Sequence, residues 1–362
     1  MSAESAFIDS LRSLATHPGA RGLLDDAAVL EIGGETLVLT HDMIVEGVHY
    51  LADDPPEDVA WKLLAVNLSD LAAKGARPLG ALLGYALGDE AWDRAFASGL
   101  GTALAAFDLP LLGGDTVAIP EGAPRALGLT AIGRADRPVP SRGGARPGDR
   151  LWVSGSIGDA GAGLALLRGG GTSPAALVER YRNPRPRLEA GQRLAPLVTA
   201  MMDVSDGLLI DAGRMASASG CRVSIELDAV PLSPDLLALR GDGRAARLAA
   251  AAAGDDYELL FAAAEDSGPV ILALTERIGL PLSRIGRFEA GGGLALADSE
   301  GAVPLPGTLG YEHRRGAPML GRLAKRRRLN PFPFPRKGRA TPGAPAQGAG
   351  PCLLEIQGKD VS

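Results

Sequence analysis

The 362-residue chain is long enough for two domains, each with its own core, and its 46% hydrophobic and 22% charged residues describe an ordinary soluble globular protein. Aromatic residues at 4% leave little to stack on bases, and the net charge of −6 is unevenly spread: nine Lys and Arg against Glu355 and Asp360 make the stretch from Gly321 onward +7, leaving −13 for the rest. So acidic a body excludes ordinary nucleic-acid binding, and no apolar stretch approaches the roughly 20 residues of a membrane span or forms a signal-peptide core. Cys221 and Cys352 form no metal or redox motif, as expected of free thiols in a reducing cytoplasm.

An amphipathic helix is expected at the N-terminus, with Phe7, Ile8, Leu11 and Leu14 on one side. Asp25 and Asp26 then precede a small apolar run, and a strand over residues 36–40 is expected to end at His41 and Asp42. From Trp61 to Pro78 the apolar residues cover nearly every face of a helix, which predicts a buried rod closed by Gly75 and Pro78. Asn67, Asp70 and Lys74 form one polar seam on it. Asp70 is then either paired with Lys74 one turn on, or a metal ligand. Strands are expected at 79–87 and 126–132, with a helix near 93–107 between them and a short apolar run before Gly113-Gly114-Asp115.

Gly, Pro and Arg dominate residues 139–149, the best candidate boundary, giving an N-terminal domain 1–138 and a C-terminal domain 139–315. Beyond it come expected strands at 151–154 and 200–203 and a helix after Gly158-Asp159. A further helix should follow Asp203-Val204-Ser205-Asp206, capped by Ser205 or Asp206 with its N–H groups aimed outward. Strands at 222–227, 259–261, 284–288 and 294–297 and helices near 233–239 and 270–278 complete an α/β or α+β chain. The basic Pro/Gly-rich segment 316–362 is expected to be disordered and outside the fold.

Acids recur where strands are expected to end: Asp25 and Asp26, Asp42, Asp115, Asp203 and Asp206, Asp255 and Asp256. Each alone is an ordinary turn or cap residue. Brought together on one sheet edge with Asp70, they would repel strongly without cations. Oxygen ligands without His or Cys clusters suit Mg²⁺, which bridges carboxylates and phosphates, so phosphoryl transfer is the chemistry implied. No G-x-x-x-x-G-K-[ST] loop and no Gly-x-Ser-x-Gly elbow is present. An acidic Ca²⁺-binding protein is the alternative, and no EF-hand loop supports it.

The ordered set LTHDMIVEGVHY, LLAVNLSDLAAKGARP, LLGGDT, SRGGARPGD, DVSDGL, GDDYELLF and GTLGYEH, from Phe7 to His313, resembles the thiamine-monophosphate kinase family of the aminoimidazole ribonucleotide synthetase-related ATP-binding superfamily. The resemblance implies a two-domain fold, an N-terminal domain with dimer-forming strands and a C-terminal α/β domain. It implies transfer of the ATP γ-phosphoryl group to thiamine monophosphate by a homodimer. By position it implies Asp26, Thr40, His41, Asp42, Asp70, Asp115, Asp203 and Asp206 as Mg²⁺ ligands, with Asp70, Asp115 and Asp206 catalytic. Asp26, Gly114, Arg142, Asp203 and Ser205 would meet ATP, and His49, Asp255 and Tyr311 the thiamine phosphate. His41 stands where the family has Ser or Thr, Leu24 where it has Gly, and the family ends near Tyr311–His313. Selenophosphate synthetase and the hydrogenase-maturation relative would each need a cysteine that this chain lacks at the required place.

Overall fold

The computed structural model describes residues 3–136 and 138–313; the segment 316–362, with Cys352, lies outside the described residues. Helix α1 (Ala3–Leu11) leads to a five-stranded sheet of β1 (Ala28–Ile32), β2 (Glu35–Val45), β3 (Arg77–Leu87), β4 (Leu111–Ala118) and β5 (Ala126–Ala135), with α2 (Pro56–Ala73) and α3 (Glu90–Ala106) between them. The strand order is β1-β2-β5-β3-β4, antiparallel except for β3 with β4.

One face of this sheet buries Val38, Ile44, Ala81, Leu127, Leu129 and Ala131 against α2 and α3. Strand alternation sends Met43, Leu82 and Val117 to the other face, where they are 52%, 39% and 53% exposed. Near the N-terminus Phe7 of α1 is 64% exposed and Leu14, past its end, 75%, while Ile8 and Leu11 are half-buried.

The second sheet contains β6 (Arg150–Ser154), β7 (Ala200–Asp203), β8 (Arg222–Glu226), β9 (Leu259–Ala263), β10 (Leu282–Glu289), β11 (Gly293–Asp298) and β12 (Gly301–Val303), in the order β12-β11-β8-β10-β6-β9-β7. Only β8 and β11 pair in parallel. Its helices are α4 (Asp159–Arg168), α5 (Ala175–Arg182), α6 (Leu188–Leu194), α7 (Leu208–Ser219), α8 (Pro234–Arg240), α9 (Arg244–Ala251) and α10 (Gly268–Ile278). One apolar core lies under α7 and includes Val153, Met202, Leu208, Met215 and Phe288; the other takes Trp152, Met201, Phe261, Ile271 and Leu274.

Helix α2 is buried on all sides, as its composition predicts, because it belongs to both halves. Leu63, Leu64, Leu68 and Leu71 pack on the first sheet, while Ala72 and Ala73 enter the core of the second. Its small terminal residues let α6 come close: a Cβ on Gly191 would stand 1.9 Å from the Ala72 carbonyl oxygen, so only glycine fits there. The helix starts at Pro56, ahead of Trp61, since Pro56, Glu57 and Asp58 supply the residues a first turn favours. It stops at Lys74, and Gly75 follows at φ 62°.

Two strands run further than expected. β2 continues through His41 and Asp42 because Met43-Ile44-Val45 resumes the apolar pattern and the backbone keeps pairing, His41 with Thr130 and Asp42 with Leu129. β4 likewise carries Asp115 in its middle, opposite Gly84 of β3. Helices α5 and α9 and strand β12 are additional short elements. Ser205 and Asp206 do not cap α7; the N-cap is Gly207 at φ 129°, and the Asp211 carboxylate accepts the Asp206 and Gly207 N–H groups at 3.1 and 3.2 Å. Those two N–H groups are therefore taken up within the chain.

Candidate active site

The end of the loop before β1, the middle of β2, the last turns of α2 and the end of β7 meet where the two sheets approach α2. Carboxylate oxygens of Asp26, Asp70 and Asp203 lie within 4.8 Å of one another. Thr40, two residues before Asp42 on β2, donates its hydroxyl to Asp70, and Ser69 donates to Asp203 at 2.5 Å. Asn67 fixes the strand, its Oδ1 accepting the Asp42 N–H at 2.9 Å. Thus Asn67, Ser69 and Asp70 on one helix tie β2 and β7 to a common acidic centre.

Asp70 is not paired with Lys74. At the C-cap, with φ −104° and ψ 6°, Lys74 leaves the regular helix path, and its Nζ reaches Asp25 at 2.5 Å, Asp26 at 2.7 Å and the Met201 carbonyl at 3.1 Å. Arg142 meets the other oxygen of Asp26, and Arg21 holds Asp25 at 2.5 Å. The cations thus stand on one side of the cluster only.

The electrostatics follow that division. Burial works to raise Asp26, but Arg142 and Lys74 outweigh it and hold its carboxyl well below the usual range. On the other side burial, reinforced by the remaining acids, prevails. Asp42 is pushed to about 6, Asp203 to about 8, and Asp70 well above its ordinary value by burial and then by Asp42, Asp203 and Asp26. Asp211, which carries the Asp206 turn, is raised to about 7 by burial and by Asp206.

Beside the cluster opens a cavity of about 530 Å³, lined among others by Asp42, His49, Ser205, Asp206, Asp255, Tyr311 and His313. The His49 Nδ1 accepts the Val45 N–H at 3.0 Å, so the neutral ring carries its proton on Nε2. His313 stands 5.3 Å from His49 and 5.0 Å from Tyr311 between ring centroids, the latter edge-on at 88°. Burial, and then His313, lower His49 to about 4. Its neutral form is favoured by the fold, so this contribution is lost as pH falls through the unfolded value of 6.5 toward 4. Denaturant melts across that window should show up to about 3 kcal/mol of acid destabilisation that is absent in His49→Gln; identical acid profiles would contradict the assignment. A separate cavity of about 420 Å³, beside Gly75, Arg77, Arg134 and Gln192, contains none of these acids.

Of the expected site residues, Asp26, Thr40, Asp42, Asp70, Asp203 and Arg142 come together, and Ser205, Asp206, His49, Asp255 and Tyr311 line the adjoining cavity. His41, Gly114 and Asp115 do not join them. Alternation along β2 turns His41 to the open sheet face, where its Nδ1 lies 2.9 Å from Thr130 Oγ1. Asp115 is exposed on β4, which β5 and β3 separate from β2. Gly114 sits against Leu83, whose carbonyl oxygen would be 2.0 Å from an added Cβ. Lys62, Ser69, Asp211 and His313 are site residues not singled out by the acid pattern. The scarcity of lysine, with only Lys62 and Lys74 before residue 325, is the signal that could have drawn attention to Lys62.

Comparison with known proteins bears on the family. Residues 24–135 match the AIR synthase related protein N-terminal domain, and residues 146–299 the corresponding C-terminal domain. Thiamine-monophosphate kinase of Caulobacter vibrioides is 42% identical over 306 residues, 82% of this chain and 86% of the relative. That of Escherichia coli (strain K12) is 38% identical, covering 74% of this chain and 84% of its own. Among solved structures, thiamine-monophosphate kinase from Stenotrophomonas maltophilia superimposes with a TM-score of 0.68 at 40% identity, over 82% of this chain and 96% of that one. AaThiL complexed with AMPPCP and TMP does so at 0.74 and 30%, over 85% and 97%. The hydrogenase maturation protein HypE in complex with ATP, at 22% identity and TM-score 0.64 over 84% and 95%, shares the fold. The chain belongs to the thiamine-monophosphate kinase family.

Proposed function

We propose that this protein transfers the γ-phosphoryl group of ATP to the phosphate of thiamine monophosphate, in line and with Mg²⁺, giving thiamine diphosphate. The observation that carries this reading is the buried triad Asp26, Asp70 and Asp203 beside a cavity large enough for a heteroaromatic phosphate. The donor set fits Mg²⁺: it is all oxygen, and carboxylate oxygens of Asp26, Asp70 and Asp203 lie within 4.8 Å of one another. Asp26, Thr40, Asp42, Asp70, Asp203 and Asp206 would hold the ions. Bound there, Mg²⁺ supplies neutralisation of the phosphate charge.

The protein's own residues position the reactants. The acceptor oxygen is ionised at neutral pH, so no general base is required and alignment is the main catalytic demand. Arg142 offers a fixed guanidinium beside Asp26 for the nucleotide phosphates, with Ser205 nearby. His49, through its Nε2–H, Asp255 and Tyr311 would receive the thiamine end. In this reading residues 1–138 form the ATP-, Mg²⁺- and dimer-forming domain and 139–315 the α/β domain, and the enzyme works in the cytoplasm. No helix among the described residues is long and apolar enough to cross a membrane.

The uncovered face of the first sheet, with Met43, Leu82 and Val117, favours a homodimer formed through its strands. Gly114, Asp115 and His41 would then serve the site only where a second copy meets that face. Purified protein with Mg·ATP and thiamine monophosphate should yield thiamine diphosphate, measured directly. Free thiamine, which lacks the phosphate that shares the metal ions, should turn over at least about 10³-fold more slowly if an unpaired polar site rejects it as such sites commonly do. Comparable turnover of free thiamine would refute the acceptor assignment.

A further inference from the structure

Lys62 takes no part in the chemistry described so far, yet it is only 2% exposed. From the middle of α2 its Nζ donates to Asp255 Oδ2 at 2.8 Å and to the His49 carbonyl at 3.0 Å, and it stands 4.0 Å from the centroid of the Tyr181 ring. One ammonium therefore joins His49, which follows β2, to Asp255, which precedes β9. Both line the same cavity.

The loop that carries Asp255 is strained. Asp255 has φ 70° and Tyr257 φ 51°, left-handed values that non-glycine residues keep only where their surroundings over-determine them. The determinants are visible. Asp255 N–H donates to the Ser205 carbonyl at 2.8 Å, Tyr257 Oη donates to Asp255 Oδ1 at 3.2 Å, and Lys62 takes the other oxygen. The carboxylate is thus held from beneath by two donors. An ion pair with a buried lysine and an aspartate side chain 26% exposed is a poor way to stabilise a fold, since desolvating the ammonium offsets much of the attraction. Its distinctive effect is to fix where the Asp255 carboxylate points.

We propose that Lys62 is a positioning residue for the acceptor. It sets the Asp255 carboxylate, and through the His49 carbonyl the His49 ring, at the spacing that receives the cationic heteroaromatic end of thiamine monophosphate. The nucleotide side of the site, built on Arg142 and the acidic triad, does not depend on it. This inference rests on the acceptor reading above, and its test separates the two.

The experiment measures, by calorimetry, binding of thiamine monophosphate in the presence of Mg²⁺ and a non-hydrolysable ATP analogue, and binding of that analogue itself. Lys62→Met should weaken thiamine monophosphate by about 10- to 100-fold, the usual range for losing a hydrogen bond to a charged group, and leave the nucleotide within about twofold. Asp255→Asn and the double variant Lys62→Met/Asp255→Asn should bind thiamine monophosphate within about threefold of each other, as residues acting through one another are non-additive. The double variant leaves no unpaired buried charge, so it keeps the test open should Lys62→Met fail to fold. Unchanged binding of thiamine monophosphate by Lys62→Met, parallel loss of both ligands, or fully additive effects would each overturn the proposal. A parent protein that binds nucleotide but no thiamine monophosphate would overturn the acceptor reading, and this inference with it.

Discussion

Asp70→Asn is expected to lose activity by on the order of 10²-fold or more, as when a pre-organised charge stabiliser is removed, while gaining stability in the absence of metal. The side chain keeps its shape and can still accept the Thr40 hydroxyl. What disappears is a buried carboxyl facing Asp42, Asp203 and Asp26. Two like charges about 4 Å apart repel by up to roughly 4 kcal/mol at an effective dielectric near 20, so partial relief should raise the metal-free melting temperature by a few degrees. The sign of the pH effect follows from the direction of the shift. A carboxyl whose folded value is raised costs stability above its unfolded value, so the gain should be present at neutral pH and vanish as pH falls toward the unfolded value of 3.8. The stabilisation that Mg·ATP confers should shrink in the variant. A destabilised Asp70→Asn protein that still responds fully to Mg·ATP would eliminate the metal role.

Lys74→Met should have the opposite effect on the metal-free protein. Lys74 is fully buried, and its partners Asp25 and Asp26 have side chains only 1% and 5% exposed. Removing one member of such a group leaves carboxylates undercompensated, which costs about 3–5 kcal/mol, or on the order of 10 °C in a protein this size. The loss should be largest at neutral pH. Both aspartates have lowered folded values, so their contribution is present above the unfolded value of 3.8 and disappears as pH falls below it. Adding Asp25→Asn should recover part of the loss. Melting curves at pH 7 decide it: an unchanged transition in Lys74→Met would show that Arg21 and Arg142 alone suffice.

The two variants mark how far the residues could be read before folding. Helix α2 was legible because an all-round apolar pattern has one physical meaning. The acids Asp26, Asp70 and Asp203 were legible because isolated carboxylates beside apolar runs are costly unless shared. The partner of Lys74 was not. Spacing of i, i+4 favours Asp70, and only the turn out of the helix at the C-cap carries the ammonium to Asp25 and Asp26. His41 and Asp115 show a different obstacle. An acid or histidine does not terminate a strand whose backbone still finds partners, and one extra residue of strand reverses the face on which the next side chain emerges. The loop at Asp255 was legible as acidic, but its left-handed backbone is held by contacts with Ser205 and Lys62 across the fold and with neighbouring Tyr257.

Because α2 contributes leucines to one core and its terminal alanines to the other, neither half possesses a complete interior without it. Severing the chain within residues 139–149 would leave the first fragment with Ala72 and Ala73 facing water and the second with a hole where they had been. The two sheets are therefore expected to unfold as a single cooperative unit. A change that unseats the whole helix, unlike one confined to a single side chain such as Lys62, is expected to reach the nucleotide and acceptor ends of the site together.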